Sequence, residues 1–423
     1  MNQNVLNTIA HEKNSHQLEV YKSKGGYSSL VNLINITPEQ VINEVKKSNL
    51  RGRGGAGFPT AKKWTFLPND DRARYLVCNA DEGEPGTFKD RFLMNKLPHQ
   101  IIEGMIIAAY AIKSKTAYIY IRGEFVKEYK IMEQALKEAY DANILGKDLN
   151  IYLYRGAGAY ICGEETALLN SLEGKRGEPR NKPPFPAHVG AFGMPTCVNN
   201  VETFTSLPWI INHGGDAFAK LGVGLSGGTR LFSVSGHIKN PGVYELPMTF
   251  TIKQLIDHCG GIPDGKKLKA IIPGGASAPM MTADEIETPL DFDSIAKAGS
   301  MAGSGAIIVM DETTCIVEAA ARLLKFYEHE SCGQCSQCRE GSHWLARLFD
   351  RLEKGLGNES DLALIEDICS NMIGQTICAF SEAMTGPALS SIRKFKSEFL
   401  EHINNKGCPH KLHLKEKEVS HVL

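Results

Sequence analysis

The chain has 423 residues, of which 42% are hydrophobic and 22% charged, and its formal net charge is −1. A chain of this length exceeds one ordinary hydrophobic core and predicts roughly two to three domains. The balanced charge gives no electrostatic basis for binding nucleic acid. The longest apolar stretches, such as Gln100–Ile112, contain Glu103 and Gly104, and none approaches the ~20 residues of a membrane-spanning helix.

The first 24 residues are polar, contain no arginine and include Glu12 and Glu19. A signal peptide would need an apolar core, and a mitochondrial presequence would be rich in arginine and poor in acids. We therefore expect a bacterial type of protein that stays on the cytoplasmic side of the membrane. Without an export signal, the eleven cysteines are not expected to form a disulfide framework, and metal ligation is the better use of their one cluster.

The first regular pattern is a helix that begins at Pro38, with Thr37 as N-cap and Gln40 at the spacing of a capping box. From residue 75 to 154, β-branched and aromatic runs alternate with segments of helical spacing. The predicted strands are Tyr75–Asn79, Ala117–Ile121 and Asn150–Tyr154, and the predicted helices are Pro98–Ile112 and Phe125–Tyr140. This alternation predicts a parallel sheet covered by helices, with ligands bound in the loops that follow the strands.

Two further regions follow this sheet. From about Thr229, short strands at 231–235, 242–246 and 270–272 and a helix at Thr251–Cys259 predict a small α+β domain. From Thr313 the chain reads as four amphipathic helices, which predict a bundle. The fourth helix is predicted to carry Ala388, Ile392, Phe395, Phe399 and Ile403 on one face.

Cys332, Cys335 and Cys338 recur with two residues between neighbours. A zinc site prefers two separate cysteine pairs, whereas three cysteines in a run plus one remote cysteine are typical of a [4Fe–4S] cluster. The run lies between the first two predicted bundle helices. Cys378 is favoured as the remote ligand because it lies in another connection, whereas periodicity assigns Cys369 to the core. A structural zinc ion remains the alternative.

Small residues fill the segment between Arg51 and Phe58, where Gly52–Gly57 reads G-x-G-x-x-G. Backbone N–H groups in such a loop can bind a phosphate. The segment follows a helix rather than a strand, so the context of the ordinary dinucleotide fingerprint is missing. A flexible turn is an equally good interpretation of this motif alone.

Two more motifs follow predicted strands. Gly156–Glu165 places glycines at a strand-to-helix turn, where a planar ring can lie against backbone, and ends in Glu164 and Glu165. These acids either bind ribose hydroxyls and repel a 2′-phosphate or are the common acidic pair of a helix N-terminus. The second motif, Asn79–Gly86, is placed to meet a ligand at the end of a strand, but taken alone it is better interpreted as a solvated acidic turn.

Taken together, the segments resemble the flavoprotein subunit of respiratory complex I, the NADH:quinone oxidoreductase subunit that binds FMN and NADH. The resemblance covers nearly the whole chain. The segments that carry it are Leu50–Thr60, Cys78–Arg91, Gly156–Gly174, Lys182–Pro186, Val198–Thr203 and Glu330–Cys338. It implies an α/β multi-domain fold: a Rossmann-like FMN/NADH domain at 1–228, a β-grasp (ubiquitin-like) α+β domain at 229–312, and a C-terminal four-helix bundle with an iron–sulfur cluster at 313–423.

The resemblance also implies roles for particular residues. Flavin-contacting positions are matched by Gly52, Arg53, Gly54, Lys63, Asn79, Asp81, Gly163, Asn199, Asn200 and Thr203, and the same segments contain Gly55, Ala56, Gly57, Tyr160 and Val198. Positions around the nicotinamide nucleotide are matched by Phe58, Phe66, Phe185, Glu82, Glu84, Glu164, Glu165 and Lys182. The cluster ligands are matched by Cys332, Cys335, Cys338 and Cys378.

The implied function is hydride transfer from NADH to FMN, then one-electron transfer to the [4Fe–4S] cluster and on toward quinone, which is reached indirectly. No protein nucleophile is expected, because FMN performs the chemistry. The implied partners are a thioredoxin-like [2Fe–2S] subunit and a large iron–sulfur subunit, in a complex at the cytoplasmic side of the bacterial inner membrane. Two alternatives remain: the diaphorase subunit of an NAD-linked hydrogenase or formate dehydrogenase, and a catalytically silent iron–sulfur scaffold.

Overall fold

The computed structural model of the chain describes residues 5–6 and 9–409. Within these described residues, four helices precede the first strand: α1 (Leu18–Ser23), α2 (Ser28–Leu33), α3 (Pro38–Lys47) and α4 (Thr60–Trp64). The predicted capping box of α3 is confirmed, because the Gln40 N–H donates to the Thr37 hydroxyl at 3.3 Å and the Thr37 N–H donates to the Gln40 side chain at 2.7 Å. The tail histidines His410, His413 and His421 lie outside the described residues.

A parallel sheet with helices between its strands forms the next region. Its elements are β1 (Tyr75–Ala80), α5 (Lys89–Lys96), α6 (Pro98–Ile112), β2 (Thr116–Ile121), α7 (Val126–Asp141), β3 (Asn150–Arg155), α8 (Glu165–Leu172), β4 (Thr196–Asn200), α9 (Val201–His213) and α10 (Gly215–Ala219). The strand order is β3-β2-β1-β4, and every pair is parallel. The predicted parallel sheet is therefore confirmed, and it has one further strand, β4, that was not predicted.

A five-stranded mixed sheet follows. Its elements are β5 (Thr229–Gly236), β6 (Gly242–Pro247), α11 (Ile252–His258), β7 (Leu268–Ile272), β8 (Met281–Thr282), α12 (Phe292–Lys297) and β9 (Ala306–Asp311). The order is β6-β5-β9-β7-β8, and β5 and β9 pair in parallel while the other pairs are antiparallel. The predicted small α+β region is confirmed, although β8 and β9 were not predicted.

From residue 316 to residue 404 the chain is mostly helical, with α13 (Ile316–Glu330), α14 (Ser336–Glu353), α15 (Glu359–Met372), α16 (Phe380–Lys394) and α17 (Lys396–Asn404). The bundle is confirmed, but its predicted fourth helix is two helices. The chain leaves the helical conformation at Phe395, where φ is −126° and ψ is 31°, and α17 starts at the next residue. Phe399 and His402 of α17 are both buried after this break.

No helix within the described residues has the length and apolarity needed to cross a membrane.

Close packing between α6 and α9 offers a test of this fold. A Cβ atom added at Gly104 of α6 would overlap the backbone carbonyl of Phe204 in α9. We expect Gly104→Ala to destabilise the chain by about 1–3 kcal/mol, since backbone cannot move aside as a side chain can. Urea unfolding of the purified protein measures this change.

Gly341→Ala is the matched control, because the three atoms nearest to its added Cβ all belong to the flexible side chain of Met372. A Gly104→Ala variant that is as stable as Gly341→Ala would contradict the packing of α6 against α9.

Candidate functional site

A cavity of about 550 Å³ lies where all three regions of the chain meet, and small-molecule sites span roughly 300–1,000 Å³. Its walls include the ends of β1 and β4, the 300–304 segment and the 378–386 segment. The residues predicted from the sequence that line it are Arg53, Gly54, Gly55, Ala56, Asn79, Asp81, Glu82, Glu84, Tyr160, Gly163, Glu164, Asn200 and Cys378. The predicted residues outside its lining are Gly52, Gly57, Phe58, Lys63, Phe66, Glu165, Lys182, Phe185, Val198, Asn199, Thr203, Cys332, Cys335 and Cys338.

The glycine loop forms one wall of the cavity. The Gly52 N–H donates to the Phe58 carbonyl at 2.8 Å and closes the base of the loop. Gly55 has a φ of +141°, and a Cβ atom added there would meet no atom within 4 Å. The backbone at Gly54–Ala56 therefore offers N–H groups and open space to a ligand, as phosphate-binding loops do.

The side chain of Arg53 donates hydrogen bonds to the protein backbone. It is fully buried, and one terminal nitrogen donates to the carbonyls of Gly227 at 2.8 Å and Thr229 at 3.0 Å. Burial lowers the pKa of this guanidinium to about 10. The Arg53 N–H donates to Thr203 Oγ1 at 3.0 Å, so Arg53 and Thr203 hold the loop in position and join it to the start of β5.

Asn79 and Asp81 lie at the end of β1. Asn79 donates to the Gly163 carbonyl at 2.9 Å and accepts from the Asp81 N–H at 3.1 Å. Both carboxylate oxygens of Asp81 are buried and have no hydrogen-bond partner among the described residues. Burial raises the pKa of Asp81 to about 7, with Glu124 and Glu330 also raising it and Arg122 opposing them. A buried acceptor without a donor is a place for a hydroxyl or N–H group of a ligand.

Glu82 and Glu84 are both committed to bonds within the protein. Glu82 accepts from the N–H groups of Asp90 at 2.8 Å and Arg91 at 3.0 Å, at the start of α5. Glu84 accepts from the Tyr160 hydroxyl and the Ser277 N–H, both at 2.7 Å. Burial raises the pKa of both glutamates, that of Glu82 to about 8. Glu84 thus joins the parallel-sheet region to the loop after β7.

The acidic pair at the start of α8 also makes specific bonds. Glu164 caps the helix by accepting from the N–H groups of Thr166 and Ala167, at 2.8 and 2.9 Å. Its other oxygen accepts from Lys182 at 2.7 Å. Glu165 pairs with Lys63 at 2.7 Å. The helix-terminus interpretation therefore holds for Glu164, which also lines the cavity.

Asn199 and Asn200 end β4. Asn199 accepts from the indole N–H of Trp64 at 3.0 Å. Asn200 caps α9 by accepting from the Glu202 N–H at 3.0 Å, and its amide donates to Asp90 at 2.6 Å. Val198 is buried within the strand. Only Asn200 of this group reaches the cavity lining.

A buried ionic group beside Asn200 was not predicted from the sequence. Lys89 is 1% exposed and contacts Asp90 at 2.7 Å and Glu202 at 2.9 Å. Burial alone would lower the pKa of Lys89, but the neighbouring carboxylates outweigh it and the net shift is upward. Lys89 and Asp90 line the cavity. The sequence feature that could have identified them is their position in the Cys78–Arg91 segment.

The three predicted aromatic residues are on the surface, outside the cavity lining. Phe58, Phe66 and Phe185 are 41%, 44% and 54% exposed. The ring centres of Phe58 and Phe66 are 5.9 Å apart. Exposed rings of this kind are available to stack on a base.

The predicted cluster cysteines come together at one end of the bundle. Cys335 is the N-cap of α14, Cys338 is in its first turn, and the Ile377 N–H lies 3.5 Å from Cys335 Sγ. The Cys378 loop therefore contacts the cysteine run. Cys369 is fully buried in the bundle core instead, as periodicity predicted.

Cys378 also lines the cavity, together with Phe380. Phe380 packs against Tyr160 with ring centres 5.8 Å apart. The Tyr160 N–H donates to Glu330, two residues before Cys332, at 3.1 Å. The cavity and the cysteine group are therefore immediate neighbours, because Cys378 belongs to both.

The raised pKa of Asp81 should make the stability of the ligand-free protein depend on pH. Its pKa is higher in the folded chain than in the unfolded chain, so the folded state binds the proton more tightly. The penalty of the buried charge therefore appears as pH rises from about 4 through about 7. We expect Asp81→Asn to raise the stability of the ligand-free chain at pH 8 by about 1–3 kcal/mol and to raise it less at pH 4.5.

Glu124→Gln, at a more exposed acid nearby, is the control for this experiment. An Asp81→Asn variant whose gain in stability is no larger at pH 8 than at pH 4.5 would contradict the finding that the Asp81 carboxylate is buried without a hydrogen-bond partner among the described residues.

Three family models match the chain in order: the Nuo51 FMN-binding domain at residues 45–209, the SLBB domain at 231–283, and the NADH-ubiquinone oxidoreductase-F iron-sulfur binding region at 318–402. The second F-type NADH-quinone oxidoreductase subunit of Rhizobium meliloti is 48% identical over 404 residues, which cover 93% of this chain and 96% of that protein. The F-type subunit of the same enzyme in Streptomyces coelicolor is also 48% identical, over 96% of this chain and 92% of its own length.

Among solved structures, the NAD+-reducing [NiFe]-hydrogenase in the H2-reduced state superposes with a TM-score of 0.84 at 33% identity, over 96% of this chain and 68% of that chain. The expected fold class is confirmed by the two sheets, the SLBB match and the helical iron–sulfur region. With this identity and coverage, the chain belongs to the family of F-type subunits of NADH-quinone oxidoreductase.

Proposed function

We propose that this chain is the NADH-oxidising subunit of a respiratory NADH–quinone oxidoreductase and that it carries FMN and one [4Fe–4S] cluster. The observation that carries the proposal is Cys378, which lines the cavity and whose loop contacts the cysteine run. The unpaired Asp81 carboxylate, the open backbone at Gly55 and the cavity volume all fit a flavin. The four cysteines at 332, 335, 338 and 378 fit a cluster.

When bound, FMN supplies the acceptor for a hydride from NADH and the means to pass electrons singly to the cluster. The residues of this chain hold the flavin and the nucleotide in position and exclude water from the cavity. In the proposal, Gly54–Ala56 and Gly163 approach the flavin with their backbone, while Asn79, Asp81 and Asn200 offer side-chain hydrogen bonds. Gly52, Arg53, Lys63, Asn199 and Thr203 support these groups through the bonds described above.

NADH is proposed to enter past the exposed aromatic residues Phe58, Phe66 and Phe185. Glu165 is then the acid whose charge disfavours the 2′-phosphate of NADPH. Glu164 and Glu84 are poorer candidates for this role, since one caps a helix and the other joins two regions.

We expect Glu165→Gln to raise the ratio of NADPH to NADH turnover about tenfold, or roughly 1.4 kcal/mol in binding, because the change removes a like charge and also frees the Lys63 ammonium from its ion pair to attract the 2′-phosphate. Steady-state kinetics with both nucleotides measure the ratio. Glu178→Gln is the control, at a glutamate that pairs with Arg176 and whose backbone carbonyl accepts from Asn170 of α8. No gain in the ratio for Glu165→Gln would remove this residue from nucleotide discrimination.

Domains, partners and location belong to the same proposal. The domains are proposed at 1–228, 229–312 and 313–423, each with its own sheet or bundle as support. A thioredoxin-like [2Fe–2S] subunit and a large iron–sulfur subunit are proposed partners, because one cluster does not complete a path to quinone. The complex is proposed to be peripheral, at the cytoplasmic side of a bacterial inner membrane.

The diaphorase subunit of an NAD-linked hydrogenase or formate dehydrogenase is the second candidate. It is favoured by the likeness to the NAD+-reducing [NiFe]-hydrogenase. The higher identity to the NADH-quinone oxidoreductase proteins favours the respiratory assignment. A silent iron–sulfur scaffold is disfavoured, because the lined cavity and its unpaired carboxylate would have no use there.

Anaerobic purification of the chain tests the proposal, with measurement of FMN, iron and NADH:ferricyanide activity. We expect Cys378→Ser to lose most of the iron and the EPR signal of the cluster, since the thiolate is a ligand. Cys369→Ser is the matched control, a buried cysteine of the same bundle, and it should keep both. Equal loss in the two variants, or flavin-loaded protein that does not oxidise NADH, would contradict the proposal.

A further inference from the structure

A second group of potential metal ligands lies in the bundle, apart from the four cluster cysteines. It consists of Cys315, Glu353, His402 and Cys408, whose ligand atoms all lie within 4.8 Å of one another. Cys315, His402 and Cys408 are buried, and Glu353 is partly buried. The Sγ of Cys315 is 3.2 Å from Nε2 of His402 and 3.8 Å from a carboxylate oxygen of Glu353, and that histidine nitrogen is 3.3 Å from the same carboxylate.

These distances of 3.2–3.8 Å are within about 0.4 Å of the edges of a tetrahedral zinc site. Zinc lies about 2.3 Å from a thiolate and about 2.0–2.2 Å from a histidine nitrogen or a carboxylate oxygen, which gives edges of about 3.4–3.8 Å. Two sulfur ligands, one nitrogen and one oxygen also suit zinc better than magnesium or calcium, which prefer oxygen alone. A [4Fe–4S] cluster would need four cysteines, and this group has two.

The surrounding structure orients the ligands. The Nδ1 atom of His402 lies 2.7 Å from the carbonyl of Glu398, so Nδ1 is the donor nitrogen and Nε2 is the nitrogen that faces the other three ligands. This is the usual arrangement of a metal-bound histidine. Cys315 is the N-cap of α13, and its Sγ accepts from the Glu318 N–H at 3.3 Å, which fixes the direction of the sulfur.

We propose that Cys315, Glu353, His402 and Cys408 bind one structural Zn²⁺ ion. The ion joins the start of α13, the end of α14, α17 and the segment after it. The 15 residues of α13 separate this site from the cluster end of the bundle by about 22 Å. It therefore closes the end of the bundle opposite the cluster and lies away from the cavity.

Elemental analysis of the full-length, cluster-loaded chain is the direct test. We expect about one zinc ion per chain in addition to the cluster iron, since the four ligands can hold one ion. Cys408→Ser and His402→Gln should lower zinc at least fivefold and leave the iron content and NADH:ferricyanide activity in place. Cys259→Ser, a buried cysteine outside both groups, is the matched control and should keep the zinc.

Cobalt substitution keeps the test independent of how the variants fold. The wild-type chain, grown with Co²⁺ in place of zinc, should show the intense d–d absorption of tetrahedral cobalt and a thiolate charge-transfer band. Three results would overturn the proposal: no zinc together with no cobalt spectrum, zinc unchanged in both variants, or a Cys315–Cys408 disulfide found by thiol counting. Because activity and cluster iron are measured on the same samples, failure here is distinguishable from failure of the proposed function.

Discussion

The parallel pairing of β1 with β4 is the constraint on which the site depends. The strand order β3-β2-β1-β4 means that the chain leaves β1 toward β2 on one side and returns to β4 on the other. The connections after β1 and β4 lead to α6 and α9 on one face of the sheet, whereas the connection after β3 leads to α8 on the other face. The crevice between these connections holds the cavity, as is general for open parallel sheets. The register pairs Asn79 with Asn200, so both amides reach the same edge. The glycine loop, Asp81 and Lys89 are arranged around that crevice.

Acidic side chains around the cavity hold the three regions of the chain together. Glu84 connects Tyr160 with the loop at Ser277, and Glu330 accepts from the backbone of Tyr160. These glutamates therefore connect separate parts of the chain, in addition to any contact that they make with a nucleotide. Asp81 is the exception, since its carboxylate has no partner among the described residues, and it is therefore the acid most available to a ligand.

Elements with strong periodicity were predicted well from the sequence, and those without it were missed. The helix from Pro98 to Ile112 has the predicted bounds, because its apolar spacing and its N-terminal proline agree. Strand β4 was missed because Asn199 and Asn200 are disfavoured in strands, and tertiary pairing with β1 overrides that preference. The cysteine run and the choice of Cys378 over Cys369 followed from spacing and helical phase.

Contacts between distant parts of the chain could not be predicted. The bond from Ser277 to Glu84 spans 193 positions, and the contact between Cys315 and His402 spans 87. Neither pair has a local signal in the sequence. Scattered single cysteines carry no spacing information, so only the fold brings Cys315 and Cys408 together.

In the proposed function, the cavity and the cysteine group form one electron-transfer unit within this chain. Anaerobic titration of the isolated chain with NADH, followed by absorption and EPR on the same samples, tests this most directly. We expect NADH alone to bleach the flavin and to elicit the reduced-cluster signal without any partner protein. Bleaching of the flavin by NADH with a cluster that only dithionite can reduce would contradict it.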